Sequence, residues 1–394
     1  MSRAFRIKDL RVYTMAPDTG AATYFKPGDA NHWLVDSLIA NPMSGHRQYR
    51  AKRSSWGVGV LGALVVEIET EEGTVGVATG SGGMPAAWLI RHHFARFLVG
   101  EDARNLNRIW DAMYRASLPY GRKGLPVMAI SAVDLALWDL VGKVRGEPVY
   151  HLIGGLSRDE ITLYCTGPDA VAIQRMGFWG AKVPLPEGPF DGEEGLRRNV
   201  AFLATQRAAV GPGYPLMVDC YMALDVAYAI RLAEACKPLD IYWWEEVLSP
   251  EDVEGYRQIK AAHPTLKWTT GEHEYTRYGF RRLIEDRQID ILQPDVMWVG
   301  GLTELLRIAA HASAYDTPVV PHGSGPYSYH FIASQTGPAF CEYVAASADG
   351  QSIAPVFGAL FTGEPLPVAG RLRLGEDAGF GMEIADRGML VAVG

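Results

Sequence analysis

From Ile161 onward the chain alternates short apolar runs with longer amphipathic stretches. The runs fall at 161–165, 178–183, 215–219, 241–245, 267–271, 289–293, 318–321 and 340–343, and the stretches between them carry helical periodicity. Each repeat is long enough for a strand, a helix and two loops. Parallel strands need such crossovers, so eight strands separated by seven helices predict a closed β/α barrel. One helix start is legible inside it. Ser249-Pro250-Glu251-Asp252 offers an N-cap, a proline at the first helical position and an acid at the third.

The first 155 residues follow a different rhythm. Residues 7–16 are strand-like, and 62–70 and 74–78 alternate around a turn at Gly73, which predicts a hairpin. Helical patterns cover 85–99, 103–117 and 126–143, the last apolar on nearly all sides, which implies burial. No apolar run is expected to approach the length of a membrane span. Residues 17–56, rich in Pro, Gly, Asn and Ser, read as one long irregular segment. Loops of that length inside a compact protein are usually functional or disordered. This one carries His32, Trp33, Arg47, Arg50, Lys52 and Arg53. The pattern predicts three parts: an α+β capping domain over 1–155, the barrel over 156–349, and a Gly- and Pro-rich segment over 350–394 that returns to the cap.

Composition narrows the class. The 394 residues are 48% hydrophobic and 21% charged, ordinary for a globular chain with two cores. A net charge of −8 with no basic block argues against nucleic acid as a partner. The amino-terminal stretch shows no signal-peptide core and no lipidation motif. The four cysteines lack metal-type spacing; Cys165, Cys220 and Cys341 sit in or beside apolar strand runs and read as buried thiols in a reducing compartment. A soluble cytoplasmic protein is expected.

The chemistry sits at the ends of the apolar runs. Asp219, Glu245, Glu272, Asp295 and His322 each close one run, at spacings of 26, 27, 23 and 27 residues. One acid or base per strand tip converges on the mouth of a barrel, where such barrels carry their active sites. Asp219, Glu245 and Glu272 suit a hard, oxygen-binding divalent cation, and Mg²⁺ fits best. Without a cation they would repel one another and shift upward in pKa. The plainer reading is that each is a helix cap or a solvated loop acid; three in register argue against it. Glu246 adjoins Glu245, and side-chain alternation lets only one of them face the mouth. His322 follows Asp295 by one strand, so the carboxylate can hold the imidazole tautomer and raise its basicity. A general base facing a Lewis acid predicts one reaction. A proton α to a carboxylate is removed, charge builds on the carboxylate oxygens, and a hydroxyl on the next carbon leaves as water.

These residues resemble the enolase superfamily, in its mandelate racemase-like branch, along nearly the whole chain. The carriers are Ala132-Val-Asp-Leu-Ala-Leu-Trp-Asp139, Pro148-Val-Tyr-His-Leu-Ile-Gly-Gly155, Val218-Asp219, Trp244-Glu245-Glu246, Gly271-Glu272, Gln293-Pro-Asp295 and Pro321-His322-Gly323. The resemblance implies a modified TIM barrel, (β/α)7β, with an N-terminal α+β capping domain completed by the C-terminal segment. It assigns Asp219, Glu245 and Glu272 to the metal, favouring the first Glu of the pair, and His322 with Asp295 to catalysis. Finer matches are Asn31-His-Trp33, Asn41-Pro-Met43, Arg53-Ser-Ser-Trp-Gly57, Gly271-Glu-His273, Trp298-Val-Gly-Gly-Leu302 and His322-Gly-Ser-Gly-Pro-Tyr-Ser328. They imply a Mg²⁺-dependent hydro-lyase that turns L-rhamnonate into 2-keto-3-deoxy-L-rhamnonate. They further imply that His32 and Arg53 bind substrate, and that His322 also serves as the acid helping the 3-hydroxyl leave. The assembly implied is a symmetric homo-oligomer, with an octamer as its expected size.

Some positions stay open at this level. The second strand tip reads Ala181-Lys182-Val183-Pro184, where the branch commonly has Lys-x-Lys. A missing second base disfavours racemisation and favours one-base dehydration. Lys182 either neutralises the substrate carboxylate or pairs with a metal-site acid. Glu342 bonds substrate, supports the dyad or packs; His273 touches the sugar or bonds a neighbouring acid. Ser324, Tyr327 and His330 are candidates for the pocket wall. L-Lyxonate and L-mannonate are the competing substrates. A barrel that binds acid sugars without turnover is the competing class, but binding alone does not need a base.

Overall fold

The computed structural model describes residues 2–16, 32–50 and 56–394. Positions 17–31 and 51–55, with Asn31, Lys52 and Arg53 among them, lie outside the described residues.

Three antiparallel strands build the cap sheet: β1 (Ile7–Met15), β2 (Ala63–Thr70) and β3 (Val75–Ser81). β2 and β3 form the predicted hairpin, from Glu69↔Val75 to Ala63↔Ser81, and Gly73 in its turn takes a left-handed φ of 89°. Helices Gly83–His92, Leu106–Ser117 and Leu125–Arg145 follow. The third starts with Pro126 in its first turn and ends at Gly146 in the left-handed conformation, with Lys143 and Arg145 in the last turn. Its length and hydropathy meet those of a membrane span, contrary to the sequence expectation, but 89% of its most apolar window is buried inside the protein. It is a core pillar. Gly76 and Gly80 let it lie directly on β3: a Cβ on Gly76 would stand 2.4 Å from Ala136 O, and one on Gly80 2.7 Å from Ala132 Cβ.

Seven parallel strands form the barrel sheet: β4 (Ile161–Thr166), β5 (Ala181–Pro184), β6 (Leu216–Asp219), β7 (Trp244–Glu245), β8 (Trp268–Thr270), β9 (Ile291–Leu292) and β10 (Phe340–Val344). They pair in chain order, and β10 closes on β4. Helices Ala170–Arg175, Gly192–Val210, Val226–Ala235, Val253–Ala262, Thr276–Glu285, Gly301–Ser313 and Pro326–Ser334 occupy the six crossovers, the last two flanking the run at 318–321 between β9 and β10. The run at 318–321 appears as two isolated parallel bridges, Leu292↔Val319 and Asp295↔His322. Pro318 and Pro321 have no N–H to give to a ladder, which reduces the expected strand to these contacts. The helix after β7 starts later than the sequence suggests. Asp252 is its N-cap, accepting from Gly255 N at 2.9 Å, while Ser249 O is used by Asp252 N in the preceding turn.

The C-terminal segment touches both bodies. Leu390–Ala392 adds a fourth strand beside β1, and Arg371–Leu372 pairs with β4. All four cysteines are buried and free.

Polar side chains on the pillar helix tie the parts together. Asp139 accepts from Val77 N in the cap sheet at 2.8 Å and from Phe380 N in the tail at 2.9 Å, and pairs with Lys143 at 3.0 Å. Ser131 Oγ accepts from Gly300 N, and Asp134 Oδ2 from Thr303 N, each at 2.9 Å, on the barrel side. Asp139→Ala strands two buried N–H groups and should cost about 3 kcal/mol. Calorimetry should show Tm lower by roughly 5 °C, with Asp139→Asn milder because its amide oxygen still accepts. An unchanged Tm would remove Asp139 as the tie.

Candidate active site

Strand geometry brings the predicted tips to one rim. β6 and β7 place Asp219 opposite Glu245 in register. Paired residues on a parallel ladder point the same way, about 4.8 Å apart. Glu272 lies just beyond β8, and the Asp295↔His322 bridge sets the last two side by side. Backbone strain gathers here. Tyr221, Met222, Glu246 and Ser324, all beside these tips, are among nine non-glycine residues with positive φ in the described chain. Such strain persists only where surroundings hold it, and it clusters at functional sites. Tyr221 N donates to Asp219 Oδ1 at 2.9 Å and Met222 N to Glu246 O at 2.5 Å, which fixes the turn after β6.

The rim is crowded with acids. Glu245 is fully buried and ion-paired to Lys182 through Oε1; its Oε2 accepts from Gln293 Nε2 at 2.6 Å and Trp243 Nε1 at 3.0 Å. Lys182, also fully buried, bonds Glu342 at 2.9 Å. Glu342 in turn accepts from Thr166 Oγ1, and from Gly323 N at 2.6 Å. Burial pushes the Glu245 carboxyl up, with Asp219, Glu342 and Glu272 adding to the rise and Lys182 opposing it. Burial also pushes Glu272 up, against His322 and His273, with Asp219 and Glu246 adding to the rise. Glu246 is turned away, bonded to Thr270 Oγ1 at 2.5 Å, Gly271 N at 2.9 Å and His273 Nδ1 at 3.3 Å.

His322 Nδ1 lies 2.9 Å from Asp295 Oδ2. Asp295 is itself pinned, its Oδ1 accepting from Ser324 Oγ at 2.9 Å and Met297 N at 2.8 Å. The other ring nitrogen, Nε2, stands 3.1 Å from Glu272 Oε2. Burial pulls the imidazole down in pKa, but Glu272, Glu342 and Asp295 outweigh it and raise it well above its ordinary range. His322 thus serves the acids as a counter-cation when no other is present.

Aromatic rings line one side of the mouth. Trp56, Tyr221, His273, Trp298 and His322 follow one another with centroids 5.4, 5.2, 5.3 and 5.4 Å apart. His273 contacts Glu272 Oε1 at 3.1 Å as well as Glu246. His32 is buried; its Nδ1 accepts from Leu34 N at 3.3 Å and its Nε2 lies 3.2 Å from Ala346 O, just past β10. Arg53 lies outside the described residues. Of the candidates for the pocket wall, Ser324 orients Asp295. Tyr327 OH accepts from Thr79 N at 2.9 Å and His330 Nδ1 from Tyr150 N at 3.2 Å, so both join cap to barrel. Gln293, Thr166 and Trp298 were not singled out from sequence. Their only signal was membership in quoted motifs or strand ends.

No three His, Cys, Asp or Glu side chains among the described residues stand in ready coordination geometry. The chemistry nonetheless fits. Asp219, Glu245 and Glu272 offer only hard oxygen donors, mutually repelling, and the buried Glu272 Oε2 is faced by the His322 ring as its ion-pair neighbour.

Residues 169–388 match the enolase C-terminal domain-like family, and residues 54–154 the mandelate racemase / muconate lactonizing enzyme N-terminal domain. The chain is 47% identical over 380 residues to the L-rhamnonate dehydratase of Saccharopolyspora erythraea, covering 96% of each chain. It matches the crystal structure of rhamnonate dehydratase from Gibberella zeae complexed with Mg at 56% identity and a TM-score of 0.96, covering 100% of this chain and 97% of that one. The 3,6-anhydro-D-galactonate cycloisomerase of Zobellia galactanivorans is 28% identical, with a TM-score of 0.75 over 96% of this chain and 97% of that one. The capped barrel is that of the enolase superfamily. Within it, the chain belongs to the mandelate racemase / muconate lactonizing enzyme family.

The raised carboxyls set a sign. Without metal, Glu245 and Glu272 take up protons as the chain folds, so stability falls as pH rises above the ordinary carboxylate range. A cation favours the ionised forms, so its stabilisation grows over the same rise. Replacing EDTA with Mg²⁺ should raise Tm more at about pH 8 than at about pH 6. An equal or smaller shift at the higher pH would mean that these acids do not hold the ion.

Proposed function

We propose that this chain is a Mg²⁺-dependent acid-sugar dehydratase, a hydro-lyase converting L-rhamnonate to 2-keto-3-deoxy-L-rhamnonate. The observation that carries the reading is the Asp295–His322 pair at 2.9 Å, set against the acids Asp219, Glu245 and Glu272 with no free base opposite among the described residues. The relatives at 47% and 56% identity support the substrate.

Asp219, Glu245 and Glu272 would hold Mg²⁺, which when bound supplies Lewis-acid stabilisation of negative charge on the substrate carboxylate. The chain's own residues move the protons. Asp295, pinned by Ser324 and Met297 N, keeps the proton on His322 Nδ1 and leaves Nε2 to accept the proton from C2. The imidazolium so formed gives its proton to the departing 3-hydroxyl. Water leaves, and the enol loses its C2 hydroxyl proton to solvent and gains one from solvent at C3 to become the 2-keto acid. Lys182 and Glu342, fully buried and bonded to each other, support Glu245 and the His322 loop rather than the sugar. His273, His32 and Arg53 are assigned to the sugar. Their support is the place of His273 between Tyr221 and Trp298, and the cap segment that carries the other two.

In this reading the enzyme works in the cytoplasm as a symmetric homo-oligomer. Four buried free thiols support the compartment, and Met84 and Trp88, exposed one turn apart on a cap helix, support a covered face.

A 2-keto-acid assay over a panel of aldonic acids, with Mg²⁺ or EDTA, tests the function. Metal-dependent product should be greatest from L-rhamnonate; a greater yield from L-lyxonate or L-mannonate would move the substrate and keep the mechanism. His322→Asn should lower kcat by roughly 10³-fold or more, with Mg²⁺ affinity within about threefold of wild type. Retained turnover would overturn the base. Glu245→Gln should weaken Mg²⁺ binding more than Glu246→Gln in a calorimetric titration, and the reverse order would move the ligand by one residue.

A further inference from the structure

Trp298 stands against the proposed base, and no step of the proposed chemistry uses it. Its indole meets the His322 imidazole at 5.4 Å between centroids and 41° between planes, within the range of favourable ring contacts. His322 has need of such a contact. Its Nδ1 is fixed by Asp295 at 2.9 Å, and its Nε2 lies 3.1 Å from Glu272 Oε2. In the dehydratase reading Nε2 leaves that acid to take the C2 proton. The imidazole then keeps its Asp295 bond, but a single bond at Nδ1 lets the ring plane turn about the bond axis. An indole set against the ring limits that turn. Proton transfer depends steeply on such alignment, and a misplacement near 1 Å can cost about 10²-fold in rate.

The indole is itself held from three directions. Trp298 N donates to Asp295 O at 3.0 Å, which ties its backbone to the dyad acid. Its side chain packs against the cluster of Val127 and Met128, on the pillar helix, and Tyr275, in the loop after β8. Its Nε1 donates to Ser81 Oγ at 3.0 Å, across 217 residues of chain. That bond selects one of the two ways an indole can lie about its Cβ–Cγ bond. Ser81 is a fixed point. It ends β3, paired with Ala63 of β2. Gly82 and Gly83 follow it with φ of 100° and 44°, and a Cβ on Gly83 would stand 1.6 Å from Leu61 O. The end of the hairpin is thus pressed onto the turn Val58–Leu61 by a contact that only glycine allows.

We propose that Trp298 is a positioning residue for proton transfer: fixed by the Ser81 hydroxyl of the cap hairpin, its indole holds the His322 imidazole in the plane from which Nε2 reaches C2. This rests on the dehydratase reading for its reaction. It gives the cap hairpin a part in setting the base, separate from any contact with the sugar.

Single-turnover kinetics on the Mg²⁺-loaded full chain test it, because the rate reports the chemical step and the amplitude counts folded sites. Ser81→Ala should lower that rate and kcat by about 10-fold, with KM for L-rhamnonate and the amplitude within about twofold of wild type. Ser81→Thr keeps the hydroxyl and should recover most of the loss. Trp298→Phe keeps a ring without the donor and should match Ser81→Ala, and the double variant should be no more than about twofold slower than either. Deuterium at C2 of the substrate should slow Ser81→Ala further, since proton removal is the step disturbed. A rate within about threefold of wild type, a KM rise as large as the rate loss, a fall in amplitude instead of rate, or no deuterium effect in the variant would each overturn the assignment. A second measurement needs no turnover. With histidine labelled at its ring nitrogens, the NMR signal lost in His322→Asn should shift or broaden in Ser81→Ala and return in Ser81→Thr; a signal unmoved by Ser81→Ala would equally sink the proposal. If the wild type turned over no acid sugar, the dehydratase reading would fall, and this signal would still decide whether Ser81 and Trp298 hold the imidazole.

Discussion

Three carboxylates at one end of a barrel cannot stay ionised together without a compensating charge, and much of the site is arranged around that constraint. Asp219 and Glu245 are placed opposite each other by strand register alone. Glu272 joins them from the next tip. The protein provides partial relief: Lys182 is buried against Glu245 and Glu342, and His273 and His322 stand against Glu272. That relief is incomplete, since burial and mutual repulsion still push Glu245 and Glu272 up. Under the proposed assignment a divalent cation would supply the missing charge. It would also relieve His322 of that duty, since Glu272 is the leading acid raising that imidazole. Metal affinity and base strength are therefore one electrostatic problem.

The dyad depends on the cap as much as on the barrel. Asp295 leads through Met297 and Trp298 to Gly300, whose N–H bonds Ser131 and whose carbonyl accepts from Trp110 Nε1 at 2.7 Å. Trp298 Nε1 donates to Ser81 Oγ at 3.0 Å, in the cap hairpin. A loop this tightly held gives Asp295 little freedom, and a general base gains most from being held in place before substrate arrives. The pillar helix is buried on nearly all sides because it serves the cap sheet and this loop at once. Its hydropathy alone would fit a bilayer; its Asp134, Asp139 and Ser131, each spent on a backbone N–H, fit a protein interior.

Most of the barrel was legible because strand ends and chemistry coincide in this chain. Val218-Asp219 and Gly271-Glu272 announce both a strand and its tip. The hairpin around Gly73 was equally plain from alternation. What failed were places where proline or a turn overrode the pattern. Pro318 and Pro321 cut an apolar run down to two bridges, and Ser249 closed a turn instead of capping a helix. Partners distant in sequence were out of reach. Nothing near Lys182 announces Glu342, and nothing near Trp298 announces Ser81. The different surroundings of Glu245 and Glu246 were also hidden from the residue pattern, because they depend on a left-handed backbone at Glu246, with φ at 46°, and on its bonds to Thr270 and Gly271.

The same crowding argues for one base instead of two. The place where the resembled branch commonly carries a second base is the β5 tip, where Lys182 stands. That ammonium is fully enclosed, lies between two carboxylates, and is raised well above its ordinary pKa: burial opposes the rise, and Glu245 and Glu342 outweigh it. A lysine so paired does not give up its proton near neutral pH, so it cannot take one from substrate. Two residues on, Pro184 offers no titratable group at all. Chemistry that inverts C2 needs a proton acceptor on one face and a donor on the other. Elimination needs one group that first accepts and then donates. His322, with Nδ1 held by Asp295 and Nε2 turned to the rim, can do both from one position. In the proposed mechanism, the proton it would remove from C2 is the proton the leaving hydroxyl needs.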